Sequence, residues 1–185
     1  LMNGVEKQNP NMTFSVMTGE DFLKPNIYQL LKNWLHIRNE IKKSDLVHAL
    51  DTYPYGVIAC LANLGVSKPV IITAVGSGSI GKLGNFGWKP QLLRWAYGRA
   101  THITAISHYV AQEIKKVLPD LSIEVINPGV DYSFYAGKSD NDGLNISAGF
   151  EYIITQGEFK RRKGYTEILP IMKKVMSAHP EVRYV

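Results

Sequence analysis

The feature of this sequence that most constrains its fold is the alternation of short apolar runs with longer stretches of helical periodicity. The runs are rich in valine and isoleucine, as in "PVIITAVG" (69–76), and the stretches repeat apolar residues about every 3.6 positions. Strands that alternate with helices are joined by right-handed crossovers, which place the strands parallel in one sheet. The pattern therefore predicts an α/β fold, a Rossmann-like parallel sheet with helices on both faces.

The predicted elements follow one another from residue 13 to residue 127. Strands are expected at residues 13–19, 45–50, 69–76, 102–107 and 122–127. Helices are expected at residues 27–41, 55–66, 91–100 and 108–118. A glycine-rich loop at 76–90 separates the third strand from the third helix, and Ser107 is placed to cap the fourth helix.

The alternation restarts after a polar, glycine-containing stretch at residues 135–151, which has the composition of a linker. The strand "YIIT", the turn "QGEFKRRKG", a helix and "VRYV" then follow within residues 152–185. A β-α-β unit of this size is too small to bury its own sheet. We therefore predict a first domain at residues 1–134 that lacks its first strand, and a second domain that begins at residue 152 and is cut short.

Composition and spacing exclude several classes of protein. The lone cysteine, Cys60, cannot form an internal disulfide and is expected to pack as a small hydrophobic residue. The five histidines have no metal-binding spacing, and the chain contains neither a G-x-S-x-G elbow nor a G-x-x-x-x-G-K-[ST] phosphate loop. The net charge of +5 favours anionic partners, but no aromatic-basic motif indicates nucleic acid.

The sequence carries no signal for a membrane span or for export. No apolar run approaches the ~18 residues that cross a bilayer, and the first residues lack the charged-then-apolar order of a signal peptide. We therefore expect a cytoplasmic protein.

Ligands of an open parallel sheet bind beyond the carboxyl ends of its strands, where loops converge and helix amino termini point outward. The residues that follow the predicted strands of the first domain in these loops are Asp51, Gly76, Ser77, Ser107, Asn127 and Asp131. Several of them also fit a purely structural role. Asp51 and Ser107 are suited to cap the next helix, and the glycines of "GSGSIG" are suited to a flexible loop.

A second candidate site is the turn "GEFKRRKG" (157–164), which places two glycines around four consecutive cations between a strand and a helix. The helix dipole and the free amides of its first turn favour an anion at this place. The same four cations also fit a solvated charge run.

Five stretches of the chain together resemble one enzyme family. They are "DLVHALDTYPYGVIA", "VIITAVGSGS", "ATHITAISHYVAQEI", "IEVINPGVDYSFY" and "YIITQGEFKRRKGYTEILPIMKKVMSAHPEVRYV". In this order and at this spacing they resemble the GT-B-fold family-4 (group 1) retaining glycosyltransferases, from about residue 45 to the end and less clearly back to residue 13.

The resemblance implies two Rossmann-like domains, the first for an acceptor and the second for a nucleoside-diphosphate sugar. It implies metal-independent transfer with retention of configuration, to a glycan or lipid-linked acceptor, with no cofactor besides the donor sugar. A peripheral contact with the anionic inner face of the membrane would suit such an acceptor. The donor phosphates would lie at Gly157, Arg162, Lys163 and Gly164. The acceptor or the cleft would be lined by Asp51, Gly76, Ser77, Ser107, Asn127 and Asp131.

Three departures from the family pattern accompany the resemblance. Glu158 stands where the family turn has an arginine, and Leu50 and Val75 stand where histidines are expected. The glycine-rich first turn and the later E-x-x-x-x-x-x-x-E region of the family are missing. We therefore predict that these 185 residues alone transfer no sugar.

Two other functions remain open at this point. One is a non-catalytic α/β binding or scaffolding module, and the other is a different GT-B-like enzyme such as a sugar-nucleotide epimerase. The segment "YQLLKNWLHIRNEIKK" (28–43) likewise fits either a helix that lies on anionic lipid or a helix with a buried face.

Overall fold

The structure is a computed structural model that describes residues 11–18, 27–81, 83–130, 132, 136, 149–157 and 159–185. The chain divides into two compact units, Leu1–Val130 and Asp131–Val185. Each unit has its own parallel sheet, with four strands in the first and two in the second among the described residues.

The elements of the first unit follow the predicted alternation. In chain order they are α1 (Ile27–Lys43), β1 (Val47–Leu50), a π-helical turn (Thr52–Gly56), α2 (Val57–Ala62), β2 (Val70–Ala74), α3 (Ser77–Ile80), α4 (Trp88–Arg99), β3 (His102–Ala105), α5 (His108–Lys115) and β4 (Glu124–Val125). The strands pair in parallel in the order β1-β2-β3-β4, with Ala49 opposite Ile72 and Ile72 opposite Ile103.

One face of this sheet carries the core. Alternate residues of each strand point to the same face, and Ala49, Ile72 and Ile103 on this face are buried. Helices α2, α4 and α5 contribute buried side chains such as Leu93 and Ile114 to the same cluster. Cys60 packs there as a small hydrophobic residue, as predicted, and burial raises the pKa of its thiol to about 11.

The opposite face of the sheet carries a row of polar side chains. His48 Nε2 lies 2.7 Å from Thr73 Oγ1, which lies 2.7 Å from Thr104 Oγ1. At the next position His102 Nε2 lies 2.9 Å from Glu124 Oε2. Leu50 on this face is 61% exposed.

The predicted fold class, a Rossmann-like parallel sheet flanked by helices, is confirmed. Because each strand lies beside its predecessor, right-handed crossovers bring the connecting helices to one face. Helices on the second face stay a prediction, since the described helices α2, α4 and α5 all contribute to the core on the first face.

The largest correction concerns the predicted strand at residues 13–19. Residues 11–18 form no strand, and residue 19 lies outside the described residues. Phe14 and Val16 are residue types that favour a strand, but no strand of the described sheet pairs with this stretch, so no ladder forms. Met17 instead packs against the small cluster of Ile37, Ile41 and Ala62.

Several predicted boundaries shift by a few residues. The helix predicted at 55–66 ends at Ala62, where the Asn63 side chain donates to Lys68 O and accepts from Lys68 N. The helix predicted to begin at residue 91 begins at Trp88. Pro90 does not prevent this earlier start, because the amide groups of the first helical turn have no partners within the helix. The loop predicted before it contains the short helix α3.

Helix α1 resolves the two interpretations of its sequence in favour of a buried face. Ile37 and Ile41 are buried against Ala62, and Trp34 packs on the same cluster. The apolar stripe of α1 therefore faces the protein. None of the helices in the described part of the chain is both long and apolar enough to cross a membrane.

The second unit repeats the strand, turn and helix order on a smaller scale. It contains β5 (Glu151–Ile153), a 3₁₀ turn (Arg161–Lys163), α6 (Tyr165–Ala178) and β6 (Val182–Tyr184). Strands β5 and β6 are parallel, with Tyr152 opposite Arg183. The predicted domain limits at 134 and 152 stay predictions, because the linker at 135–151 lies outside the described residues except at 136 and 149–151.

Candidate functional site

The predicted site residues of the first unit that the structure describes lie along the carboxyl edge of the sheet. Asp51 follows β1 directly, and its amide donates to Thr73 O at 2.9 Å. Gly76 and Ser107 each come two residues after the last residue of β2 and β3, and Asn127 comes two residues after β4. Parallel strands end at the same edge, so the loops that carry these residues are neighbours.

Asp51 has an unusual backbone and a fully engaged carboxylate oxygen. Its φ of 86° lies in the region that L-residues rarely adopt. Asp51 Oδ1 accepts a hydrogen bond from Thr52 N at 2.9 Å and a short one from the Ser79 hydroxyl. The capping interpretation of Asp51 is therefore realised, and its strained backbone is of the kind that persists where the surroundings enforce it, often at functional sites.

A buried polar network holds Asp51 in place, and nothing in the sequence beyond the residue types indicates it. Thr52, Ser79 and Tyr97 are almost fully buried. Thr52 Oγ1 donates to Tyr97 Oη at 2.7 Å, and Tyr97 Oη donates to Ser79 O at 3.3 Å. The network ties the end of β1 to α3 and to α4, so it fixes the position of the glycine-rich loop relative to Asp51.

Burial is the main influence on the ionisation of this network. It raises the pKa of the Tyr97 hydroxyl to about 12, while hydrogen bonds from Thr52 and Ser79 act in the opposite direction. Tyr97 therefore stays neutral at physiological pH and serves as a hydrogen-bonding strut. Ser79 lies within the predicted loop "GSGSIG", but the sequence did not point to Thr52, Ser79 or Tyr97 individually.

Gly76 opens helix α3 and leaves space beside it. Its carbonyl accepts from Ser79 N at 2.9 Å and from Ile80 N at 3.0 Å. A methyl group at this position would meet no atom within 4 Å, so the space beside Gly76 is open. Ser77 begins α3, and its side chain lies outside the described part of the structure.

Ser107 and Asn127 both make local structural contacts. Ser107 Oγ accepts from Val110 N at 3.3 Å and caps α5, as predicted. Asn127 Nδ2 donates to Ile106 O at 3.0 Å and so ties the turn after β4 to the end of β3. Asp131 lies outside the described residues. The ligand roles of these residues stay predictions.

A cavity of about 160 Å³ lies elsewhere in this unit, beside the edge strand β1. Its walls include Ser15, Ile37, Glu40, His48 and Tyr55. None of the predicted site residues lines it, so it does not belong to the candidate site.

In the second unit, the cationic turn lies between β5 and α6, where the sequence predicted it. Residues 161–163 form a 3₁₀ turn, and Gly164 has a φ of +76°, which favours glycine. Gly164 O accepts from Glu167 N at 3.1 Å and from Ile168 N at 2.9 Å. The amides of Tyr165 and Thr166 precede these bonds, as at the start of any α-helix, and are the natural donors to an anion.

Tyr165 braces this turn from the helix, and sequence reasoning missed it. Tyr165 Oη donates to Gly157 O at 2.9 Å, and the ring stacks on Phe159 with centroids 4.4 Å apart. A methyl group at Gly157 would come within 3.2 Å of Tyr165 Oη. The close contact at Gly157 is thus one within the chain. The aromatic residues on either side of the cations were the available signal.

The cations of the turn are largely at the surface. Arg161 and Lys163 are exposed, and the side chain of Arg162 lies outside the described residues, as does Glu158. Glu167 is the acidic residue in the first turn of α6, and its Oε2 accepts from Thr166 Oγ1 at 2.8 Å. Within the described parts of the chain, no three His, Cys, Asp or Glu side chains gather as a metal site would require.

Comparison with known proteins identifies the family. The model of Glycosyltransferase Family 4 matches residues 9–134, about two thirds of the chain. No curated protein gives a match. The matched range includes Asp51, Gly76, Ser107 and Asn127 and ends before the cationic turn, so the resemblance of residues 152–185 stays a prediction. The match over most of the first unit, together with its parallel sheet, shows that this chain belongs to glycosyltransferase family 4.

Proposed function

We propose that this chain is part of a hexosyltransferase that moves a sugar from a nucleoside-diphosphate sugar to a glycan or lipid-linked acceptor in polysaccharide biosynthesis. Membership of glycosyltransferase family 4 supports a role in glycosyl transfer in general. Retention of configuration, independence of metal, the use of no cofactor besides the donor, and a cytoplasmic place at the inner face of the membrane are the finer parts of the proposal.

The observation that carries the donor part is the cationic turn between β5 and α6. In an open parallel sheet this is the corner where loop amides and the helix amino terminus favour an anion. Four consecutive cations, residues 160–163, are added to that corner here. A diphosphate fits this combination better than a neutral ligand does.

In the proposed mechanism, this corner stabilises the leaving group. As the bond from the sugar to the diphosphate breaks, negative charge collects on the departing phosphate oxygens. Lys163 and Arg162, with the amides that follow Gly164, would attract that charge more strongly in the transition state than in the ground state. No side chain needs to change protonation state in this step.

The acceptor part of the proposal rests on the carboxyl edge of the first unit. Asp51, Gly76, Ser77, Ser107, Asn127 and Asp131 would line the acceptor or the cleft. The strained backbone of Asp51 and the open space beside Gly76 support this placement. The hydrogen bonds of Ser107 and Asn127 support a role in shaping the edge.

We also propose that the 185-residue chain transfers no sugar by itself. None of the side chains of helix α6 is fully buried, so the second unit has little core with which to hold a donor rigidly. Turnover of a sugar nucleotide by the purified chain above background would contradict this part.

The decisive experiment is calorimetry with uridine and guanosine diphosphates on a full-length protein that contains these residues. We expect one of the two to bind, and Lys163→Ala to weaken its binding about tenfold, or ~1.4 kcal/mol. Lys173→Ala is the matched control, because Lys173 is an exposed lysine further along α6, and it should leave binding unchanged.

The alternatives give different results in this experiment. A scaffolding module would bind neither diphosphate. An epimerase would bind a diphosphate but convert the sugar nucleotide without an acceptor, which product analysis detects. Equal losses in Lys163→Ala and Lys173→Ala would indicate nonspecific attraction of the anion to a basic surface and would remove the assigned role of Lys163.

A further inference from the structure

The loop between α3 and α4 displays two large aromatic side chains to solvent. Phe86 at its tip is fully exposed, and Trp88 at the start of α4 is 65% exposed. Aromatic side chains carry large apolar areas, so a soluble protein gains nothing by holding two of them in water at one place. The pair therefore indicates a surface that another apolar phase covers.

The base of this loop is fixed. Leu83 is buried in the main core with only 1% of its surface exposed. Its carbonyl accepts two hydrogen bonds from Arg94, at 3.2 Å from Nε and 3.0 Å from Nη2. Gly87 has a φ of +125°, a conformation that glycine permits. The aromatic tip is thus carried on an anchored base.

The stretch of sequence that contains the loop carries charges of one sign. Between Asp51 and Glu113 the sequence contains no Asp or Glu. It contains five cationic residues there, which are Lys68, Lys82, Lys89, Arg94 and Arg99. Lys89 Nζ lies 5.3 Å from the centroid of the Trp88 ring, so one cation stands directly beside the aromatic tip.

We propose that this loop, residues 83–89, is a membrane-contact site that inserts Phe86 and Trp88 into the interface of an anionic bilayer. Aromatic rings are favoured at the headgroup level, and a neighbouring lysine reaches phosphates while its stem lies along apolar surface. Lys89 beside the Trp88 ring and the net charge of +5 attract this surface to a leaflet of negative potential. Together these properties fit an anionic lipid surface.

The structure favours this loop over helix α1 as the membrane surface. The apolar stripe of α1 is occupied, because Ile37 and Ile41 are buried against Ala62. Leu35 is an exposed apolar residue on α1, at 58%, and it serves as a matched control for the aromatic loop. The inference rests on the proposed function in one respect: a lipid-linked acceptor would give the enzyme a reason to contact the membrane.

The test is cosedimentation of the 185-residue chain with phosphatidylcholine vesicles, with and without phosphatidylglycerol. We expect binding to the anionic vesicles, and a loss of about tenfold in the Phe86→Ser/Trp88→Ser variant. Leu35→Ser should bind as the parent does. Both aromatic side chains are exposed, so circular dichroism and thermal unfolding of the double variant should match the parent.

A second readout does not depend on that variant. Lipids brominated on their acyl chains should quench the fluorescence of the parent, and Trp88→Phe should remove that quenching while Trp34 and Trp95 still emit. The proposal is overturned if the parent does not sediment with anionic vesicles, if the double variant binds like the parent, if Leu35→Ser loses as much binding, or if quenching survives in Trp88→Phe. No sugar nucleotide is present, so these outcomes are separate from a failure of donor binding.

Discussion

The two units of the chain differ in how much of their apolar surface they bury. In the first unit, strands β1 to β3 and helices α2, α4 and α5 share one continuous core, with Ile72 and Tyr97 at its centre. In the second unit, α6 has the apolar stripe of an amphipathic helix, but none of its side chains is fully buried, and Leu169 and Ile171 are each about half exposed.

This difference shows that periodicity and packing are separate properties. An apolar stripe is enough to predict an amphipathic helix with one apolar face, and both units contain such helices. The stability of a helix in water comes mostly from what covers that face. We therefore expect the first unit to respond to core substitutions as a complete domain does and the second unit to respond much less.

The largest effect should come from truncating the core of the first unit. Ile72 is fully buried on the central part of the sheet, so Ile72→Ala should lower the free energy of unfolding by ~2–5 kcal/mol. Ile168→Ala on α6 removes a half-buried side chain and should cost ~1 kcal/mol or less. Urea unfolding measures the first change by tryptophan fluorescence, because Trp34, Trp88 and Trp95 all lie in the first unit.

The control for this prediction is Ile72→Val, which keeps most of the side chain and should cost ~0.5–1.5 kcal/mol. Helix content of the second unit is followed by amide hydrogen exchange at residues 165–178. Equal costs for Ile72→Ala and Ile168→Ala would show that both units are packed alike and would end the comparison.

Much of the first unit was predictable from its sequence. The run of β-branched residues at 70–74 predicted β2, and the apolar spacing of 27–41 predicted α1 with its buried face. The strand predicted at 13–19 is wrong because residue types describe only the chain itself, while a strand exists only with a neighbour to pair with. β4 is shorter than predicted, since only Glu124 and Val125 register with β3.

The second largest effect should come from the buried network beside Asp51. Tyr97→Phe removes the hydroxyl that accepts from Thr52 Oγ1 and donates to Ser79 O, and it leaves Thr52 Oγ1 with only its longer bond to Ser79 Oγ at 3.2 Å. We expect a loss of ~1–3 kcal/mol in the free energy of unfolding. Tyr109→Phe is the matched control, because Tyr109 is exposed on α5 in the same unit, and it should change stability by less than ~0.5 kcal/mol.

The pH dependence of stability gives this prediction a second measurement. Burial raises the pKa of Tyr97 from 10.0 to about 12, so the unfolded chain loses this proton at lower pH than the folded protein does. The contribution of Tyr97 is intact below pH 10 and is lost as the pH rises toward 12. The Phe variant should lack this alkaline loss. An unchanged alkaline profile in Tyr97→Phe would show that the hydroxyl is not buried as described.

The positions of the candidate site residues were predictable, but the hydrogen bonds that hold them were not. The rule that ligands lie beyond the carboxyl ends of parallel strands placed Asp51, Gly76, Ser107 and Asn127 along one edge. It could not show that Asp51 is held by Ser79, because that bond joins residues 28 positions apart and depends on how the chain folds back. Long-range polar contacts of this kind leave no periodic signal in a sequence.

The smallest effect should come from the brace on the cationic turn of the second unit. Tyr165→Phe keeps the stack on Phe159 but removes the hydrogen bond to Gly157 O, which is exposed, so global stability should fall by only ~0.5–1 kcal/mol. The local effect should be clearer: amides 157–164 should exchange several-fold faster in hydrogen exchange, because the turn loses its tie to α6. Tyr184→Phe is the control, since its hydroxyl bonds Thr155 Oγ1 at 2.9 Å, outside residues 157–164, and it should leave the exchange of those amides unchanged. If Tyr165→Phe leaves exchange at 157–164 unchanged, the turn is held by its own backbone bonds, such as Lys163 N to Lys160 O at 2.8 Å, and Tyr165 is only a surface residue.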